Sequence, residues 1–194
     1  MQQFNSQINL IIDLSISKSI IRKQLISYKY GIYYWFIKSD SINKLINPIT
    51  SLNNIYSINN NGVEYCLIYI GIGPRNSLTK KQFFNNRILN CHLGNKITNS
   101  TFRYSIASSL GMNGEKRMIG KELKYFLTSN DEKLLTKFIS ENFILAVNDH
   151  ITPWDIESNE IQTYKPPFNI IDNKNGWYLK QIQSFRKSFR DRSI

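Results

Sequence analysis

Glu157 stands where a carboxylate is costly. In "ITPWDIESNEIQTYKPPFN", Thr152 takes the N-cap position, Pro153 the first helical position and Pro166 the stop, so a helix runs between them. Trp154, Ile161 and Tyr164 form its apolar stripe, and Glu157, three residues after Trp154 and four before Ile161, falls on that stripe. A carboxylate there pairs with a cation, sits at a rim or holds a metal ion, and the pattern leaves these alternatives open. Tyr33 and Tyr69 carry phenols on aromatic-rich segments, where packing is the ordinary role and proton handling the alternative. Arg87 and His92 lie five residues apart on one helical segment. Arg103 follows Ser100 and Thr101 at a helix start, where free amides and a cation together would seat a phosphate; a solvated surface Arg is the alternative. The terminal "QSFRKSFRDR" interleaves Phe185 and Phe189 with Arg186, Lys187, Arg190 and Arg192, which suggests a packed Phe pair with cations left for a phosphate backbone. Lys80 and Lys81 are similar candidates in a loop.

Several elements must position these groups. "SISKSIIRKQLIS" predicts an N-terminal amphipathic helix with Ile16, Ile20 and Leu25 inward. In "GIYYWFI", Tyr33, Trp35 and Ile37 share one strand face, and Ile32, Tyr34 and Phe36 the other. A polar stretch from Ser39 to Gly62 reads as an elaborated loop. "EYCLIYIGIG" follows as a strand buried on both faces, with Tyr65, Leu67 and Tyr69 alternating with Cys66, Ile68 and Ile70. "KQFFNNRILNCHLG" predicts a helix with Phe84, Ile88 and Cys91 as core, and "NSTFRYSIASSLG" one capped by Asn99 or Ser100. "SNDEKLLTKFISENFILAV" reads as a helix capped by Asn130 that runs into a third strand near Phe143 to Val147.

Bulk properties narrow the class. The 194 residues suit one domain with elaborations, and 41% hydrophobic residues describe a chain that buries a core. No apolar run approaches a membrane span, and the N-terminus has neither a basic n-region nor a small-residue cleavage site, so a cytoplasmic location without membrane attachment is expected. Cys66 and Cys91 lack CxxC spacing, which indicates neither a zinc site nor a disulfide framework. A net charge of +11 favours a polyanionic partner, with nucleic acid leading.

Gly31-Ile32-Tyr33 on one strand and Tyr69-Ile70-Gly71 on the next, then Arg87, Glu157, Pro166 and Asn169 in that order, resemble the GIY-YIG nuclease family over residues 31 to 169. "NNRILNCHLGNKITNSTFRYSIASSLG" looks like the corresponding stretch of restriction-type and uncharacterised bacterial members. Residues 34–68 between the two tyrosines depart from the short turn of the compact branches. The family often places His or Tyr four residues after the Arg; here that slot is Cys91, with His92 next.

The resemblance implies an α+β fold: a small central antiparallel three-stranded sheet flanked by helices. Residues 1–28 would add an N-terminal helical extension, 29–175 form the nuclease-like domain, and 176–194 a basic C-terminal extension packing on it. It further implies a DNA endonuclease, in a restriction or defence setting. Tyr33 would act as general base or water positioner, Tyr69 would orient, Arg87 would bind the scissile phosphate, His92 would assist, and Glu157 would hold one Mg²⁺ or Mn²⁺. Arg103, Arg186, Arg190, Lys80 and Lys81 are the expected DNA contacts, and a palindromic target would favour a homodimer. A catalytically inactive DNA-binding protein on the same fold and a structure- or RNA-specific nuclease are the alternatives.

Overall fold

The computed structural model describes residues 1–46, 54–74, 84–173 and 178–194. Eight strands occur among them: β1 (Gln2–Gln3), β2 (Leu10–Asp13), β3 (Gly31–Lys38), β4 (Tyr56–Asn60), β5 (Val63–Gly73), β6 (Glu115–Ile119), β7 (Glu122–Phe126) and β8 (Phe143–Asp149). The α-helices are α1 (Lys18–Leu25), α2 (Phe84–Asn86), α3 (Thr101–Ser109), α4 (Ser129–Asn142), α5 (Pro153–Tyr164) and α6 (Leu179–Arg192). A π-helical segment, Arg87–His92, continues α2 directly. No helix among the described residues is long and apolar enough to cross a membrane.

The main sheet has six strands, in the order β1-β4-β5-β3-β8-β2, rather than the three expected. All neighbours are antiparallel except β1 and β4. The expected three, β3, β5 and β8, form its centre. The additions come from segments read otherwise in the sequence. The N-terminal stretch supplies a strand at each edge as well as α1. Within the presumed loop, β4 returns to β5 through Asn61-Gly62, both at positive φ (53° and 80°). That pair is the ordinary type I′ hairpin signal, and flanking polarity hid it.

β3 is central, and residues Ile32 to Ile37 are each at most 1% exposed, which explains its unbroken aromatic and β-branched composition. Its two faces feed two cores. Tyr33, Trp35 and Ile37 pack with Phe84, Phe102, Ile106 and the helices above them. Ile32, Tyr34 and Phe36 pack with Phe4 and with Ile161 and Tyr164 of α5.

A bulge decides which side Tyr69 takes. Trp35 pairs with Tyr69 and Phe36 with Leu67, leaving Ile68 as the extra residue. Tyr65 and Leu67 therefore belong to the α5 core, whereas Tyr69 belongs to the Tyr33 core. The strict alternation expected for this strand fails at that step.

The helices follow their patterns with local corrections. In α1 the inward residues are Ile21 and Leu25, and Ile20 is 46% exposed. Ser100 caps α3, its Oγ accepting from the Arg103 amide. Thr128, not Asn130, caps α4 by accepting from the Asp131 amide. Lys165 ends α5 in the left-handed conformation (φ 46°). β6 and β7, not anticipated from the sequence, form a separate two-stranded sheet.

Candidate active site

Tyr33 and Tyr69 share a sheet face because Tyr33 pairs with Gly71, two residues beyond Tyr69. The Tyr33 ring lies directly over Gly71: a Cβ there would sit 2.5 Å from Tyr33 Cζ and Oη. The glycine of the second tripeptide is thus the space occupied by the tyrosine of the first. Gly31 is equally constrained, since its Cβ would lie 2.6 Å from the Asn148 carbonyl oxygen.

The hydroxyl of Tyr33 is held from two directions. Arg87 Nε donates to it at 2.9 Å, and it lies 2.6 Å from His92 Nε2. With Arg87 donating to the oxygen, the phenol's own proton is available to Nε2 when that nitrogen is unprotonated. His92 Nδ1 lies 2.8 Å from Ser100 Oγ, and in the tautomer that carries the ring proton on Nδ1 it donates to that oxygen. Burial pushes the Tyr33 pKa well above the ordinary phenol value, opposed by the Arg87 charge.

His92 reaches this position through the backbone. On an α-helix it would be rotated about 140° from Arg87. The Arg87–His92 segment is π-helical, and Leu93 N–H donates to the Ile88 carbonyl, five residues back, so both side chains meet Tyr33. His92 is buried at 1% exposure among Tyr33, Trp35, Tyr69 and Phe102, while Cys91 is only half-buried, which reverses the expectation that Cys91 is core.

A cleft of about 270 Å³ opens at the β5 edge, where Tyr69, Arg87, Glu157, Asn169 and Arg186 converge. Glu157 comes from α5 on one side of the sheet and Arg87 from the other. Among the described residues no strand neighbours β5 beside Ile70 on this edge, since β4 pairs only with Val63 to Cys66. Asn169 takes that place: Ile70 N–H donates to Asn169 Oδ1 and Asn169 Nδ2 donates to the Ile70 carbonyl, both at 2.8 Å. Asn169 is thereby a positioning residue for the strand that carries Tyr69. Arg186, from α6, is anchored beside the cleft by Nε on Ser105 Oγ (3.2 Å) and Nη2 on the Thr101 carbonyl (3.3 Å). Its guanidinium also lies over the Tyr104 ring.

Arg103 is not a phosphate seat. It is fully buried, and Nη2 meets Glu132 Oε2 at 2.8 Å and Thr136 Oγ1 at 3.0 Å. Glu132 also accepts from the Ile97 amide at 2.7 Å, so this pair ties α4 to the start of α3 behind His92. Arg190 is exposed on α6. Lys80 and Lys81 lie outside the described residues.

Among the described residues no group of three or more His, Cys, Asp or Glu could hold a metal. The carboxylates lining the cleft are instead those of Glu157 and Asp172, both half-buried. Carboxylates lining a cleft suit a Mg²⁺-type ion, an oxygen-seeking cation that keeps much of its hydration shell.

Compared with known families, the GIY-YIG catalytic domain matches residues 31–188. The chain belongs to the GIY-YIG family. That membership makes it a member of a nuclease superfamily, whose substrates are nucleic acids. No curated protein and no solved structure matches it. In this GIY-YIG domain the two name-giving tripeptides lie on the adjacent strands β3 and β5 and meet at one register pair, Tyr33 with Gly71. Ser100, which the sequence marked only as a cap, is the further partner that orients His92.

Proposed function

We propose that this GIY-YIG protein is a Mg²⁺- or Mn²⁺-dependent endonuclease that hydrolyses phosphodiester bonds in DNA, in a restriction or defence setting. The observation that carries the reading is the Tyr33 hydroxyl held between Arg87 Nε and His92 Nε2 behind a cleft that also presents Glu157.

Arg87 binds the scissile phosphate with its fork of donors, and Tyr69 orients from the cleft wall. Tyr33 is fully buried in the free protein. A phosphate that draws the guanidinium toward itself releases a lone pair on the Tyr33 oxygen, which then accepts a proton from the attacking water. Tyr33 passes its own proton to His92 Nε2, so no standing phenolate is needed despite the raised pKa. Ser100 holds the ring while it becomes imidazolium. Glu157 would hold the metal ion, which when bound supplies charge neutralisation at the leaving oxygen.

The test is cleavage of plasmid and linear DNA by purified protein with Mg²⁺, Mn²⁺ or chelator. Cutting with either metal is expected, and Tyr33→Phe and Glu157→Ala should each lower the rate by about 10²-fold or more while DNA binding persists. Undiminished cutting by Glu157→Ala would refute the metal assignment. Binding without cleavage across duplex, branched and single-stranded DNA would instead identify an inactive DNA-binding member, and cutting confined to RNA would move the substrate.

A further inference from the structure

The β6–β7 hairpin stands apart from the main sheet and takes no part in the site above. Its base is pinned: Lys116 N–H donates to the Ile194 carbonyl at 2.7 Å, Ile194 N–H to the Gly114 carbonyl at 3.0 Å, and Tyr125 packs edge-on against Phe189. Its far end is bare. Met118, Ile119 and Leu123 are 60%, 51% and 48% exposed around a turn at Gly120 (φ 62°).

Three large apolar side chains clustered on a hairpin tip cost solubility unless something covers them. The charges around them say what. Lys116, Arg117, Lys121 and Lys124 outnumber Glu115 and Glu122 along the same ribbon. Arg117 pairs directly across from Lys124, a like-charge juxtaposition that is unfavourable in the free protein and that a bridging anion relieves. The glutamates engage the same two cations, Glu115 with Arg117 and Glu122 with Lys124 at 3.3 Å. Those pairs are exposed and therefore weak, so phosphate oxygens can displace them.

The ribbon also adjoins the cutting site. A second depression, of about 230 Å³, is lined by Thr101, Tyr104, Lys124 and Tyr125. Thr101 lines the active-site cleft as well, and Tyr104 supports Arg186 at the cleft wall. One surface thus runs from Glu157 and Arg87 past Arg186 and Thr101 to Lys124.

We propose that β6–β7 is a DNA-reading ribbon that enters the major groove of the duplex flanking the scissile phosphate. The undeformed B-DNA major groove accepts a two-stranded ribbon, whereas the undeformed minor groove is about half as wide and the major groove of A-form RNA is closed to side chains. In the groove, Arg117 and Lys124 contact phosphates while Met118 and Leu123, which share one face of the ribbon, meet base edges such as thymine methyls. The placement beside the cleft rests on the nuclease reading above; the ribbon's affinity for duplex DNA does not.

Two full-length variants test it, Arg117→Ala with Lys124→Ala, and Met118→Ser with Leu123→Ser. Thermal melting of each checks that the domain stays folded, and removing the like-charge pair favours the ribbon rather than breaking it. Binding of a fluorescent DNA duplex is measured in chelator, so that no cutting is required, over a salt series. The charge variant should reduce the slope of log K against log salt by about two, one per lost phosphate contact. The tip variant should weaken duplex binding about tenfold and shift the preferred positions on a random-site library. Unchanged slope and affinity in both variants would overturn the proposal, as would equal losses on duplex RNA. Conversion of a wild-type dimer to monomer by the tip variant, with DNA binding intact, would reassign the tip to self-association. Failure of the wild type to cut, with the salt slope still responding, would refute the nuclease reading and leave the ribbon standing.

Discussion

Glu132→Ala should destabilise this protein far more than the loss of a surface ion pair. Arg103 is fully buried, and its Nη2 meets Glu132 Oε2 at 2.8 Å; the Glu132 side chain is 10% exposed. Removing the carboxylate leaves a guanidinium charge buried against the weaker acceptors that remain, the His92 carbonyl at 3.4 Å, the backbone carbonyl of residue 132 at 3.4 Å and Thr136 Oγ1 at 3.0 Å. It also frees the Ile97 amide, whose acceptor is Glu132 Oε1. Losing one partner of a buried pair costs about 3–5 kcal/mol, against about 0–1 kcal/mol for an exposed one. At roughly 2–4 °C per kcal/mol for a domain of this size, the melting midpoint should fall by about 6–20 °C. Replacing both partners, as Arg103→Met with Glu132→Leu, removes the charges together and should return stability to within about 1–2 kcal/mol of the wild type. Urea unfolding of the two singles and the double supplies the coupling energy. A Glu132→Ala cost below about 1 kcal/mol, or a double variant no better than the worse single, would refute the buried-pair reasoning. The double variant should keep the wild-type salt dependence of DNA binding, because Arg103 is fully buried and its charge is paired with Glu132.

Two other outcomes follow from the site. Gly71→Ala places a methyl 2.5 Å from Tyr33 Oη and forces the ring aside by about 1 Å. The expected cost is about 1–3 kcal/mol in stability and about 10²-fold in cleavage rate; unchanged cleavage would show that the Tyr33 position is immaterial. For pH, burial raises the pKa of Tyr33 and of Tyr34, the latter reinforced by Glu160. The folded chain therefore keeps phenol protons that the unfolded chain releases above about pH 10. Stability from these groups is complete below that pH and falls as pH rises beyond it, so calorimetric midpoints should decline on the alkaline side, less steeply in Tyr34→Phe. A midpoint that holds level there would contradict the shifts.

Chain pattern alone determined the parts of this protein that rest on local periodicity. The period-two run from Gly31, the apolar segment before Gly73, the stripe carrying Glu157 and the caps around Pro153 are near-neighbour signals, and β3, β5 and α5 stand where those signals put them. Identity of the family followed from the order of those same residues. Some misses were also local: Asn61-Gly62 marked a hairpin, and the β6–β7 turn carried Gly120. Other features had no local signal. The edge strands β1 and β2 are too short for periodicity and form only because β4 and β8 offer them hydrogen-bonding partners. The Ile68 bulge, which puts Tyr69 on the Tyr33 face, exists only in the pairing of β3 with β5. Helical periodicity turned His92 away from Arg87, and a π-helical segment packed on Trp35 and Phe102 turned it back. Arg103 looked available because sequence spacing cannot show that Glu132, on a distant helix, closes over it. Spacing along the chain names the groups that can react; which of them meet, and which are sealed away, depends on pairings between residues far apart in sequence.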